Sequence, residues 1–358
     1  MKPLLLLVGA LLWAGCPDEA VAPADAAADA VADAATDADG GDTAAADGDA
    51  GAPPVAAVVV TFNTGTGPEP AHDSGPDDGY SQAMADLTDQ WYGNGLNFRP
   101  LIEETRQFLA GVGPDVIVFQ EIFWTGDCPN IPPEAQTGFV CEGWSMGDPT
   151  VAQLLLGDGY QVACHPGKPD KCAAVKTSFG TFAGCDGDFC LEGLTGFKVD
   201  TCGSGARVAR GVIELTAGGT LTLVNYHGSS GVSEDDFFCR TEQVNQVFVD
   251  LGDGEPGANG SRNLVMGDLN TDPGRFFDAD PSAARWLDFV GDGKPFRWHT
   301  DLGEGVEATY AGFVNIDHVI SDTFTTGRCW HPSVTEGYPA FTETRYYDHL
   351  PAVCELSE

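Results

Sequence analysis

Residues 263–270 read Asn263-Leu-Val-Met-Gly-Asp-Leu-Asn270, an apolar run that stops on Gly267 and Asp268. Such a run reads as a buried β-strand whose end delivers a polar group to an edge. The pattern recurs. Val55–Phe62 precedes Asn63, Asp115–Phe119 precedes Gln120 and Glu121, and Thr220–Val224 precedes Asn225. Arg207–Leu215, Asn315–Ser321 and Leu350–Leu356 read as further strands.

Helical spacing is rarer. Phe98–Ala110 carries Leu101, Ile102, Phe108 and Leu109 between charged residues, and Arg240–Leu251 carries Val244, Val247, Phe248 and Leu251. Gly111 and Gly254 are the expected stops. Strands alternating with these helices give an α/β or α+β domain. The Gly-, Pro- and Cys-rich stretches 65–95 and 128–205 read as surface insertions stapled by disulfides, and no internal repeat is evident.

The N-terminus is of another kind. Met1–Gly15 has Lys2 as its only charge, an apolar run from Leu4 to Trp13, and small Ala14 and Gly15 ahead of Cys16. That is the pattern of an export signal, and it is short of the roughly 20 apolar residues of a membrane span. Leu-Trp-Ala-Gly-Cys resembles a bacterial lipobox, with Trp13 where an aliphatic residue is usual. The resemblance implies a lipidated Cys16 as mature N-terminus, holding the exported chain to the periplasmic or outer face of a bacterial membrane. From Pro17 to Pro54 the sequence is mostly Ala, Asp, Gly, Thr and Pro, too poor in large apolar groups to offset its own ordering entropy. The expected organisation is a signal peptide over 1–15, a lipidated cysteine and disordered tether over 16–54, and one domain over 55–358.

Charge and cysteines narrow the function. Lys and Arg number 17 against 54 Asp and Glu, a net charge of -37. Such a surface repels polyanions and disfavours duplex nucleic acid held by a broad basic footprint, although divalent ions can screen a site. Of 11 cysteines, setting Cys16 aside leaves an even number, with no CxxC pair to suggest a metal. In an exported chain these read as disulfides, with Cys164/Cys172 and Cys185/Cys190 close enough for local loops.

The polar strand ends carry the chemistry. In order they are Asn63; Glu121; Asn225 and His227 in Leu-Val-Asn-Tyr-His; Asp268 and Asn270 in Gly-Asp-Leu-Asn; Asp317 in Asn-Ile-Asp-His; and Asp348 with His349 in Tyr-Asp-His-Leu-Pro. Carboxylates suited to a hard divalent ion, with histidines and amides, meet the needs of phosphoester hydrolysis: charge neutralisation, an activated water and help for the leaving oxygen. Each motif alone is explained by a turn or a surface pair; the ordered set is not.

That ordered set resembles the endonuclease/exonuclease/phosphatase superfamily, which includes secreted deoxyribonucleases, neutral sphingomyelinases and inositol-polyphosphate phosphatases. The resemblance spans about 55–356. It implies an α+β fold of two packed mixed β-sheets flanked by helices, a four-layer sandwich with its site at one end. It implies magnesium, or manganese or calcium, held by Glu121, Asn63 and Asp348. Asp268 and Asn270 would orient the attacking water and the phosphate. His349 would be the general base, oriented by Asp317, and His227 would stabilise phosphoryl charge or aid the leaving group. Whether Asp268 or His349 takes the proton stays open.

Two departures stand out. Family members often carry a second Asn, Asp or Gln where this chain has Gly65, and the gap from Asn63 to Glu121 is long. Asp73, Asp77 and Asp78 within that gap read as a solvated loop. His72, His165, His299, His318 and His331 read as surface or core residues, and Trp91, Tyr92, Trp124 and Trp144 as packing against disulfides or as a rim. Expected substrates are a lipid headgroup or small extracellular phosphoester, then a nucleic acid; a catalytically silent binding module is the other class. Oligomeric state is open.

Overall fold

The computed structural model describes residues 54–66, 79–203, 205–332 and 346–358. The signal, Cys16, the tether to residue 53, His72 and the aspartates at 73, 77 and 78 lie outside the described residues.

Thirteen strands form two sheets. The first has seven: β1 (Ala56–Asn63), β2 (Val116–Gln120), β3 (Tyr160–Cys164), β4 (Cys172–Lys176), β6 (Phe189–Cys190), β12 (Thr326–Trp330) and β13 (Ala352–Ser357). Their order is β12-β13-β1-β2-β4-β3-β6. The second has six: β5 (Gly180–Phe182), β7 (Val208–Leu215), β8 (Thr220–His227), β9 (Asn263–Asp268), β10 (Arg297–Trp298) and β11 (Asp317–Ser321), ordered β10-β11-β9-β8-β7-β5. Parallel β1/β2 and β8/β9 pairs among antiparallel neighbours make both sheets mixed.

Alternation along each strand assigns its faces. Val59, Val116, Val118, Leu221, Leu223, Leu264, Met266 and Val319 meet between the sheets. Val60, Phe62, Ile117 and Phe119 turn outward and pack with α1 (Gln82–Trp91), α2 (Arg99–Val112) and α3 (Val151–Leu156). On the far side Val224, Tyr226, Val265 and Ile320 pack with α4 (Glu234–Phe248) and α5 (Pro281–Phe289). The result is helix, sheet, sheet, helix, the four-layer α+β sandwich expected.

Several boundaries differ from the sequence reading. Helix α2 continues through Gly111 and ends at Gly113, whose left-handed φ of 63° closes the turn. Helix α4 begins at Glu234, six residues before Arg240, because Ser233 and Asp236 form a capping box. Its polar, acidic first turn suits the positive helix end but carries no apolar periodicity. It ends at Phe248, well before Gly254.

The larger correction concerns 128–205. This is not simply a surface insertion, because β3 and β4 lie inside the first sheet, β4 directly against β2. Val162, Ala163, Ala173, Ala174 and Val175 are buried. Alanines and cysteines replaced the β-branched signature, so the strands were hidden. Within 65–95, α1 packs against the first sheet.

All ten cysteines of the domain pair: Cys128–Cys141, Cys164–Cys172, Cys185–Cys190, Cys202–Cys239 and Cys329–Cys354. Both local loops expected are among them.

Candidate active site

The apolar layer between the sheets turns polar at one end. Continuing the inward alternation past Val59, Val118, Leu223, Met266 and Val319 brings Asn63, Gln120, Asn225, His227, Asp268 and Asp317 onto the inner faces. Register sharpens this. His227 pairs with Asp268 across β8/β9, and Asp268 with Asp317 across β9/β11, so three ionisable groups stand in one row. Gly267 is required there, since a β-carbon on it would lie 1.8 Å from the Tyr226 carbonyl oxygen.

From the opposite sheet, Asn63 at the end of β1 reaches across to donate from Nδ2 to Asp268 Oδ2 at 3.0 Å. Asn270 donates to the same carboxylate twice, from its backbone N–H at 2.7 Å and its Nδ2 at 3.0 Å. Glu121 and Asn270 both have left-handed backbones, φ 54° and 50°. Strain of this kind in non-glycine residues gathers at functional sites.

The segment before β13 supplies Asp348 and His349. His349 Nδ1 lies 2.8 Å from Asp317 Oδ2, which fixes Nδ1 as the donor and leaves Nε2 facing Asp268 Oδ2 at 3.8 Å and Asp348 Oδ1 at 3.9 Å. Tyr310 packs on the imidazole face, ring centroids 4.7 Å apart. Thr309 Oγ1 accepts the backbone N–H of Asp317 at 3.1 Å. Neither Thr309 nor Tyr310 carried a sequence signal.

Gly65 acquires a meaning the sequence had read as a missing ligand. A β-carbon there would stand 2.4 Å from Glu121 Oε2, 3.1 Å from Asn63 Oδ1 and 3.2 Å from Asp348 Oδ1. Three oxygens therefore converge on one small space that only glycine leaves empty. Asp348 Oδ1 is buried without a hydrogen-bond partner. An orphaned carboxylate oxygen beside a second carboxylate and an amide oxygen is a donor set that fits a hard divalent cation. Asp268, Asp317 and His349 also cluster tightly enough to hold an ion. In that group Asp268 already accepts from the amides of Asn63 and Asn270, and Asp317 Oδ2 already bonds His349. The Gly65 cradle differs in bringing in the Glu121 carboxylate.

Electrostatics follow from burying so much charge. Burial, then the Asp348 carboxylate, raises Glu121 above the usual carboxylate range. Burial likewise raises Asp348 and pushes Asp268 up to about 7. A cation would relieve these shifts. For His349 burial works downward, but Asp317, Asp348 and Asp268 together hold it well above its ordinary value. His227 goes the other way: burial, then Arg207, Lys171 and Lys168, keep its imidazole neutral. Its Nε2 lies 3.3 Å from Glu121 Oε1.

Every site residue named from the sequence within the described region, Asn63, Glu121, His227, Asp268, Asn270, Asp317, Asp348 and His349, lies in this one cluster. Asn225 lies one step deeper and is structural. It accepts from Gln120 Nε2 at 2.8 Å and donates to the Phe119 and Cys172 carbonyls, both at 3.0 Å, tying the sheets together. His318 faces away, bonded to Thr300 and the Asn315 carbonyl. Tyr92 packs on Phe123 and Phe139 and donates to the Ala135 carbonyl, and Trp124 stacks on Phe189.

No family model matches the chain, and no curated protein does. Among solved structures it is similar to a humanized D. rerio TDP2, at 12% identity and TM-score 0.45, over 84% of this chain and 98% of that one. An AP endonuclease from Archaeoglobus fulgidus is similar at 12% identity and TM-score 0.42, over 83% and 98%. The 3' phosphatase NExo from Neisseria, bound to a product DNA hairpin, is similar at 14% identity and TM-score 0.42, over 84% and 99%.

Proposed function

We propose that this chain is a divalent-cation-dependent phosphoester hydrolase of the endonuclease/exonuclease/phosphatase type. The supporting observation is the convergence of Glu121, Asn63 and Asp348 oxygens at Gly65, facing a histidine whose far nitrogen is committed to Asp317. When bound there, the ion would neutralise phosphoryl oxygens, acidify a water and, by its charge, favour the neutral form of His349.

The remaining work belongs to the chain. His349 Nε2 takes the proton of the attacking water, with Asp317 holding the ring and stabilising the charge it gains. Asp268, locked by Asn63 and Asn270, orients that water. His227, kept neutral, donates from Nε2 to a phosphoryl or leaving oxygen.

For substrate we favour a lipid headgroup or small extracellular phosphoester over a nucleic acid, because the net charge of -37 repels a long polyanion. A lipidated Cys16 at a bacterial membrane accords with this choice, on the Leu-Trp-Ala-Gly-Cys sequence. Sphingomyelin, inositol phosphates, DNA and RNA, each assayed with magnesium, manganese and calcium, test the reading. Turnover of a headgroup or inositol phosphate above DNA and RNA supports it; preferential cleavage of nucleic acid makes the chain a nuclease; binding without turnover of any makes it a silent module.

A further inference from the structure

Cations are scarce in this chain, 17 Lys and Arg against 54 acidic residues, yet three gather beside the site. Lys168 and Lys171 lie on the loop between β3 and β4, closed by the Cys164–Cys172 bridge. Arg207 immediately precedes β7, and its carbonyl accepts the His227 backbone N–H at 2.9 Å. The loop and Arg207 lie together, because Lys168 Cδ is 3.3 Å from where a Gly205 β-carbon would sit.

One carboxylate serves all three. Asp170 accepts from Lys168 Nζ at 2.7 Å and Lys171 Nζ at 3.5 Å, and the charge of Arg207 also reaches it. The Asp170 carbonyl accepts the Ile122 N–H at 3.1 Å, which places this group against the residue after Glu121. Arg207 donates from Nη1 to the Gly228 carbonyl at 3.1 Å, next to His227, while its Nε is buried with no partner. Lys171 is fully buried behind them, and its ammonium is pushed well down by burial, with Lys168 and Arg207 adding to the effect. Lys168 and Arg207, with the Arg207 charge shared between Asp170 and Glu121 and its Nε–H unsatisfied, form a basic patch that can take a further anion.

We propose that Lys168 and Arg207, backed by Lys171, form a second anion subsite on the His227 side of the site, which takes a second phosphate group of the same substrate. The proposal rests on the phosphoesterase reading for its meaning. Substrates are then bisphosphates, or diesters carrying a further phosphate. An arriving phosphate adds charge beside that of Asp170, met by Lys168 from the β3–β4 loop and by Arg207 from the residue before β7.

Calorimetric binding to the full chain carrying His349→Ala, which lacks the base, with magnesium present, tests this without turnover. Thymidine 3',5'-bisphosphate is compared with thymidine 3'-phosphate, and inositol 1,4-bisphosphate with inositol 1-phosphate, so that a nucleotide and an inositol source are distinguished. The bisphosphate is expected to bind about tenfold tighter in at least one pair, equivalent to roughly 1.4 kcal/mol. In Lys168→Gln that preference should fall below about threefold, and in Arg207→Gln likewise. Equal affinity within both pairs of the chain unaltered at Lys168 and Arg207 overturns the proposal. So does a preference that survives both variants, which would assign the second phosphate to the divalent ion. Failure of every substrate to turn over would reject the phosphoesterase reading while leaving this binding result to stand or fall by itself.

Discussion

A β-carbon placed on Gly65 would stand 2.4 Å from Oε2 of Glu121, closer than such a contact can be. The atoms it meets are side-chain ends, so the backbone need not move, but the three oxygens must separate. Gly65→Ala should therefore keep a melting temperature within a few degrees of the parent and raise the magnesium concentration for half-maximal activity by about tenfold or more. A magnesium titration at fixed substrate reads this; an unchanged titration would place the ion elsewhere.

Asp317 leads the carboxylates that hold His349 above its ordinary value against the effect of burial. A general base works deprotonated, so activity should rise with pH through the His349 pKa. Asp317→Asn removes that support and should move the rising limb of kcat/KM to lower pH, by about one unit or more. His349→Ala should lower kcat about 100- to 10,000-fold, and adding Asp317→Asn should cost little more, because the two act as a unit. A limb that stays in place in Asp317→Asn would transfer the base role to Asp268.

Asn225 is predicted to matter for folding. Its removal strands Gln120 Nε2 and the Phe119 and Cys172 carbonyls between the sheets. Asn225→Ala should lose about 3 kcal/mol of stability by denaturant titration, while enzyme that remains folded keeps its ion affinity.

Burial lowers His318 from 6.5 to about 4, with Nε2 donating to the Asn315 carbonyl and Nδ1 accepting from Thr300. The unfolded chain binds the extra proton in that window, so this stability is present above about 6.5 and is lost as pH falls towards 4. Relative to His318→Gln, the parent should lose up to about 3 kcal/mol of its advantage between pH 7 and 4. A difference independent of pH would show that His318 does not titrate on unfolding.

The sequence was most legible where one residue type does one thing. Apolar runs bounded by Asn63, Gln120-Glu121, Asp268 and Asp317 revealed both the strands and the site, because the inward alternation that packs the core continues to the polar end, at the close of β1, β2 and β9 and at the start of β11. It was least legible where the signal is an absence or a distant contact. Gly65 looked like a lost ligand because a missing β-carbon has no side chain to read. Strands β3 and β4 were hidden by alanine and cysteine, and Asn225 shared the motif pattern while bonding backbone carbonyls of the opposite sheet. Arg207 and Lys168 are far apart in the chain and meet only through Gly205 and Asp170.

On the proposed mechanism, phosphoester hydrolysis needs an ion held by Glu121, Asn63 and Asp348. The most direct measurement is the rate of bis(4-nitrophenyl) phosphate hydrolysis by the full chain before chelation, after exhaustive chelation, and after magnesium is restored, with Glu121→Ala in parallel. Activity should fall to background, return with the ion, and not return in Glu121→Ala. Activity that persists after exhaustive chelation, or that magnesium restores equally in Glu121→Ala, would contradict it.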